Sequence, residues 1–133
     1  LSSDELLEQA ARFHGHLGPF LVLGLKAGLR AVEILGWKPL KMMATIILVR
    51  KIPYTCFLDG VQFATGCTLG KRNIEVLEGR GIRALFSLEG RGIELTVRDE
   101  VLRKAESAGS RMEEVARDFM AKKSEELFEE KLI

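Results

Sequence analysis

The stretch IEVLEGRGIRALFSLEGRGIELTV, residues 74–97, contains the pentapeptide EGRGI twice, at 78–82 and 89–93. Around the two copies the apolar residues alternate with mostly polar ones: Ile74 and Val76, then Ile82, Ala84, Phe86 and Leu88, then Ile93, Leu95 and Val97. A period of two places alternate side chains on one face of a strand, and glycine supplies the backbone freedom that tight turns require. The stretch therefore predicts a three-stranded antiparallel meander, each EGRGI closing one strand and opening the next. Upstream, MMATIILV at 42–49 is a continuous, β-branched apolar run of strand length, as expected for a strand buried on both faces.

The flanking segments have helical periodicity. Ser2 and Ser3 precede Asp4 and Glu5, and the apolar residues Leu6, Leu7, Ala10, Ala11 and Phe13 follow, which predicts a helix over Asp4–Phe13. Pro19 suits a first helical turn and Gly36 a C-terminal cap, so a second helix is expected over Pro19–Leu35. Its only charges, Lys26, Arg30 and Glu33, form one narrow stripe, read as solvated; every other face is apolar, which makes this helix central. Gly24 and Gly28 on it permit close backbone approach, expected against a sheet. A short helix is expected over Cys56–Thr65, ended by Gly66. Helix returns from Asp99, breaks at Gly109 and Ser110, and runs from Arg111 to about Glu130 with Met112, Val115, Ala116, Phe119 and Met120 on one side. Leu127, Phe128, Leu132 and Ile133 continue apolar beyond it, a candidate dimer contact. The sum is an α+β domain spanning 1–133: an antiparallel sheet of about four strands, a central apolar helix, and packed N- and C-terminal helices.

With 133 residues, 47% of them hydrophobic, the chain has the size of one domain with a genuine core. Twenty basic and 19 acidic residues leave a formal charge of +1, so the field that recruits nucleic acid or an anionic membrane is missing. The longest apolar run, Pro19 to Leu25, falls far short of a bilayer span, and the chain opens on an acidic helix; a cytoplasmic protein with no membrane partner is expected. Cys56 and Cys67 are accordingly read as thiols.

Both histidines lie in HGHLGP, residues 14–19. Residues i and i+2 of a helix point about 200° apart, so His14 and His16 can reach one ion only from a turn or extended segment, which Gly15, Gly18 and Pro19 favour. Neutral imidazoles there can serve as ligands or can bond backbone carbonyls of the turn. Cys56 and Asp59 share one face of the short helix and Gln62 follows at its next step; a thiol at a helix N-terminus tends toward a lowered pKa. Two imidazoles and a thiolate form a donor set for zinc or a similar divalent metal with a position left open, whereas a buried thiol beside a capping Asp is the plainer alternative. Cys67 is a possible additional ligand. The loop GCTLGKRN, 66–73, fails as a phosphate loop: Gly66 and Gly70 are one residue too close and Arg72 stands where Ser or Thr binds magnesium. A carbonyl or anion contact through Thr68 and Lys71, or a plain helix-to-strand turn, remains open.

These residues also carry a likeness. HGHLGPFLVLG at 14–24 and CFLDGVQFATGCTLGK at 56–71 resemble the two motif blocks of the E-subunit family of formylmethanofuran dehydrogenase, HGHxCPG and CxxDaxQxxTGCTxGk. The second block matches nearly throughout, and the order of the elements between and after them agrees. The resemblance implies an α+β core that pairs as a homodimer, with His14, His16 and Cys56 as metal ligands, and a possible association with other subunits of an enzyme complex that reduces carbon dioxide onto methanofuran in methanogenesis. It departs at Gly18, where the family pattern has cysteine, and the charged C-terminal segment carries none of the cysteines of the zinc finger found in longer members. Three readings follow: a metal-binding accessory subunit or stand-alone homologue, with Asp59 or Gln62 orienting the ligands or touching substrate; a small metal-dependent enzyme with Asp59 as base; and a homodimeric scaffold.

Overall fold

The computed structural model describes residues 1–133. Helices α1 (Ser3–His14) and α2 (Pro19–Leu35) lead into strand β1 (Met43–Leu48), helix α3 (Cys56–Thr65), and strands β2 (Ile74–Glu78), β3 (Arg83–Leu88) and β4 (Arg91–Val97). Helix α4 (Asp99–Glu106), a 3-10 turn (Gly109–Arg111), α5 (Met112–Ala121), α6 (Ser124–Leu127) and β5 (Phe128–Leu132) complete the chain. The class is α+β, as the periodicities predict. No helix is long and apolar enough to cross a membrane.

The sheet has five strands rather than four, in the order β2-β1-β3-β4-β5, and it is mixed. The two EGRGI copies perform different tasks. At the second, Leu88 pairs with Arg91 across Glu89 and Gly90, whose φ values of 51° and 83° describe the two-residue hairpin turn that suits twisted strands. The first builds no hairpin. β2 lies parallel to β1, with Ile46 opposite Val76, and β3 pairs with the opposite edge of β1. Gly79 instead carries the chain across the end of β1, where an added Cβ would stand 2.4 Å from Ile47 Cγ2. The expected meander is thus a single hairpin, β3-β4, with β1 inserted before it. β2 is an edge strand, which accounts for its exposed Glu75, Leu77 and Glu78.

β1 is buried on one face only: Ala44, Ile46 and Leu48 enter the core, while Met43 is 49% exposed. The C-terminal helix ends at Ala121 rather than near Glu130, and Phe128–Leu132 pairs with β4. Leu127 and Phe128 are therefore core residues, while Leu132 and Ile133 stay exposed.

α2 is central, with Leu21, Val22, Leu23, Leu25, Ala27 and Ala31 fully buried. Its glycines meet a helix rather than a sheet: a Cβ on Gly24 would lie 1.9 Å from the Phe57 carbonyl oxygen, and one on Gly60 of α3 would lie 2.2 Å from the Leu21 carbonyl oxygen. α2 and α3 therefore cross backbone to backbone. The charged stripe of α2 is also not merely solvated. Lys26 Nζ donates to the carbonyls of Met120 and Lys122 at 3.2 and 2.7 Å, and its partial burial lowers its pKa. Arg30 grips Glu130 through two nitrogens at 2.6 and 2.9 Å and also bonds Glu33. This stripe anchors the C-terminal segment.

Candidate metal centre

Helix α1 extends one residue further than its periodicity suggests, so His14 is its last helical residue. Gly15 follows with φ 113°, a left-handed cap whose N–H donates to the Ala11 carbonyl at 2.7 Å. This break resolves the geometric difficulty of an i, i+2 pair: His14 projects from the helix end and His16 from the turn beyond it. Their ring centroids lie 4.7 Å apart. The close crossing of α2 and α3 then brings in the first residue of α3. One ligand atom each from His14, His16 and Cys56 lie within 4.8 Å of one another, and this group could hold a metal ion.

Asp59, one helical turn after Cys56, sits 2.6 Å from His14 Nδ1 through Oδ2. With the carboxylate as acceptor Nδ1 carries the hydrogen, and in the neutral ring Nε2 then keeps a free lone pair. That nitrogen is buried and has no hydrogen-bond partner. A buried acceptor without a donor is costly, and a metal ion is one group that satisfies it; a carboxylate holding the far nitrogen is the usual second support of a metal-bound imidazole. The donor set of two imidazoles and a thiolate fits a borderline divalent metal with a position left open. In the metal-free chain, burial and the neighbouring Asp59 charge push the Cys56 thiol up, opposite to the lowering expected from its helix N-terminus.

Gln62 continues the same face. Its Oε1 accepts from the Leu69 N–H at 2.9 Å, and its Nε2 stands 3.5 Å from Asp59 Oδ1. The other candidates lie apart. Cys67 is fully buried and its thiol donates to the Met42 carbonyl at 3.4 Å. Thr68 and Lys71 engage each other, Lys71 Nζ donating to Thr68 Oγ1 at 3.0 Å. The organiser of that loop is buried Asn73, which accepts from the Thr68 N–H and donates to the carbonyls of Pro39 and Met42. The loop is thus a helix-to-strand turn. A cavity of about 400 Å³ opens beside His14, Cys56 and Asp59. Its apolar walls include Ile52 and Leu69, which sequence periodicity does not single out because neither lies on a core face.

The family described as "FmdE, Molybdenum formylmethanofuran dehydrogenase operon" matches residues 13–132. The chain belongs to the FmdE family. A probable S-adenosyl-L-methionine-binding protein from Archaeoglobus fulgidus is 38% identical over 105 residues, an alignment covering 74% of this chain and 28% of that relative. The chain thus spans little more than a quarter of that relative's length. The fold is also that of a tungsten formylmethanofuran dehydrogenase FmdE-like protein from Syntrophus aciditrophicus, with a TM-score of 0.69 at 21% identity over all of this chain and 72% of the other. In this FmdE chain Gly18 occupies the position of the cysteine in the HGHxCPG pattern. An added Cβ there would stand 3.0 Å from His16 Cε1, so the position directly adjoins the imidazole pair.

Proposed function

We propose that this FmdE-family chain is a metal-binding protein that holds a divalent transition metal, zinc foremost, through His14, His16 and Cys56. It acts as an accessory subunit or stand-alone homologue linked to formylmethanofuran dehydrogenase and one-carbon metabolism of the methanogenic type. The reading treats residues 1–133 as one FmdE-like core domain. The observation that carries it is His14 Nε2, buried and without a partner while Asp59 fixes the other ring nitrogen. Asp59 positions His14, and Gln62 in turn flanks Asp59. A bound divalent metal with an open position supplies Lewis acidity there. The chain's own residues provide the orientation: the Gly15 cap aims the imidazoles, and the α2–α3 crossing sets their distance from Cys56.

The cavity beside the ligands favours a second reading, an independent metal-dependent enzyme in which Asp59 moves a proton. The dimer suggested by the resemblance is retained as part of the proposal, with exposed Leu132 and Ile133 as its candidate contact. Elemental analysis of untagged protein tests the centre. One metal per chain, lost in His14→Ala and Cys56→Ala, supports it; content far below one and unchanged in both variants overturns it. Copurification with tungsten or molybdenum enzyme subunits favours the accessory role over the independent enzyme, and a monomer by sedimentation refutes the dimer.

A further inference from the structure

The walls of the cavity beside His14 and Cys56 define a class of ligand. Ile52, Leu58, Leu69, Ile74 and Val76 form its apolar surface, and neither lysine nor arginine lines it. The groove between α2 and the C-terminal segment differs, lined by four basic side chains, Lys26, Arg30, Arg98 and Lys123, together with three glutamates. An anion entering the first cavity therefore loses its hydration without gaining a cationic partner from the protein.

Gln62 adds one directed donor. Its amide orientation is fixed because the Leu69 N–H needs the oxygen, at 2.9 Å. The nitrogen consequently faces the cavity side near Asp59, at a separation of 3.5 Å that leaves its N–H groups weakly engaged.

We propose that this cavity binds a small neutral carbonyl compound of the amide or aldehyde class. Its apolar body packs on Ile52, Leu69 and Val76, and its oxygen accepts from Gln62 Nε2. A cavity of about 400 Å³ lies within the size range of small-molecule sites, and its few polar groups on apolar walls match their usual make-up.

The test uses the full chain with its zinc content measured, titrated with isovaleramide and with isovalerate, which share one branched carbon skeleton but differ in charge. Backbone amide resonances of Leu69, Ile74 and Val76 report the location, and calorimetry reports the affinity. Isovaleramide is expected to shift those resonances and to bind about tenfold more tightly than isovalerate. Gln62→Leu should weaken the amide several-fold, about the worth of one hydrogen bond, when the comparison is made per zinc-loaded chain. Leu69 is 78% exposed, so Leu69→Lys leaves the core intact. That variant should move the preference toward isovalerate by about fivefold or more. Equal or tighter binding of isovalerate to the wild type, or no shift at the three residues with zinc bound, overturns the proposal and leaves the metal centre standing. Absence of zinc with the amide preference intact refutes the metal centre and leaves the cavity assignment; absence of both refutes both.

Discussion

Gly24→Ala isolates the crossing that builds the centre. The new Cβ would lie 1.9 Å from the Phe57 carbonyl oxygen, 2.8 Å from its carbonyl carbon and 3.1 Å from its Cα. A relaxed carbon-to-oxygen contact is about 3.3 Å, so α2 and α3 must part by roughly 1.4 Å at that point. The obstacle is backbone, so no rotamer change relieves it, and reciprocal tightness at Gly60 blocks a slide along the same line. Overpacking of this kind costs about 3 kcal/mol, from which about 1 kcal/mol is recovered because alanine is the better helix former. The net loss is about 2 kcal/mol, or a fall in melting temperature of about 8 °C for a chain of this length. The same displacement moves Cys56, which immediately precedes Phe57, away from the imidazole pair, and zinc affinity should fall by about tenfold or more. Urea unfolding with a chelator present measures the first effect, and competition against a chromophoric chelator measures the second. Gly70→Ala is the control, since its Cβ would meet only Thr68 Oγ1 at 3.9 Å. A Gly24→Ala protein as stable as the wild type in the absence of metal refutes the tight crossing. Reduced stability with unchanged zinc affinity refutes its role in setting the ligand distances.

Asp59→Asn should lower zinc affinity about 10- to 100-fold without unfolding the chain, because the amide no longer holds the His14 ring as a carboxylate does; chelator competition checks it. Cys67→Ala should leave metal content unchanged while lowering stability by about 1–2 kcal/mol, as expected for truncating a buried thiol outside the ligand group. Gly18→Cys should tighten zinc binding and strengthen the thiolate charge-transfer band of the cobalt-substituted protein, with the His16 ring moving a few tenths of an ångström from its 3.0 Å contact. Glu130→Gln should cost about 1 kcal/mol near neutral pH. Arg30 holds the Glu130 carboxyl below its ordinary value of 4.5, so the stabilisation is fully present above that value and disappears as pH falls through the lower folded one. Urea midpoints of wild type and variant should therefore converge in acid; a gap that persists there contradicts the ion-pair account.

The period-two runs disclose which residues face the core, and those faces are correct for β3 and β4. They carry no information about the neighbour of a strand, because pairing is set by how the intervening α3 connects β1 to β2. The identical EGRGI copies make the point: one closes a hairpin, and the other crosses β1 at Gly79. β5 is hidden for a different reason. The core-facing partner of Leu95 on that strand is Glu130, whose charge is met by Arg30 of α2, so the alternation that marks a strand is broken by an ion pair 100 residues apart in sequence. The stripe on α2 looks like a solvated edge until that partner is in place. At the candidate centre, the grouping of His14, His16 and Cys56 is legible, including the need for a break between the two histidines, and the structure sets the three side by side. Asp59 or Gln62 can be read as an orienting residue, but which ligand it holds cannot: a carboxylate three residues after a cysteine says nothing about an imidazole 45 residues earlier, and only the fold sets Asp59 against His14.

The placement of the three ligands on their elements has an electrostatic logic of its own. His14 ends α1, where unpaired carbonyls give the helix terminus a partial negative charge. The first turn of α3 offers no matching free donors, because the N–H groups of Cys56, Phe57 and Leu58 bond the carbonyls of Pro53, Tyr54 and Thr55. On the metal reading proposed above, a cation beside His14 would meet the favourable end of α1. Burial and Asp59 raise the Cys56 thiol, and His14 Nε2 is buried without a partner. A single divalent ion would answer both. Gly18 would leave such a shell poorer in sulfur than the family motif provides. The side it leaves open is not the cavity that holds Gln62: Gly18 lines a separate, smaller one with His16, Pro19 and Pro53, and Cys56 borders both.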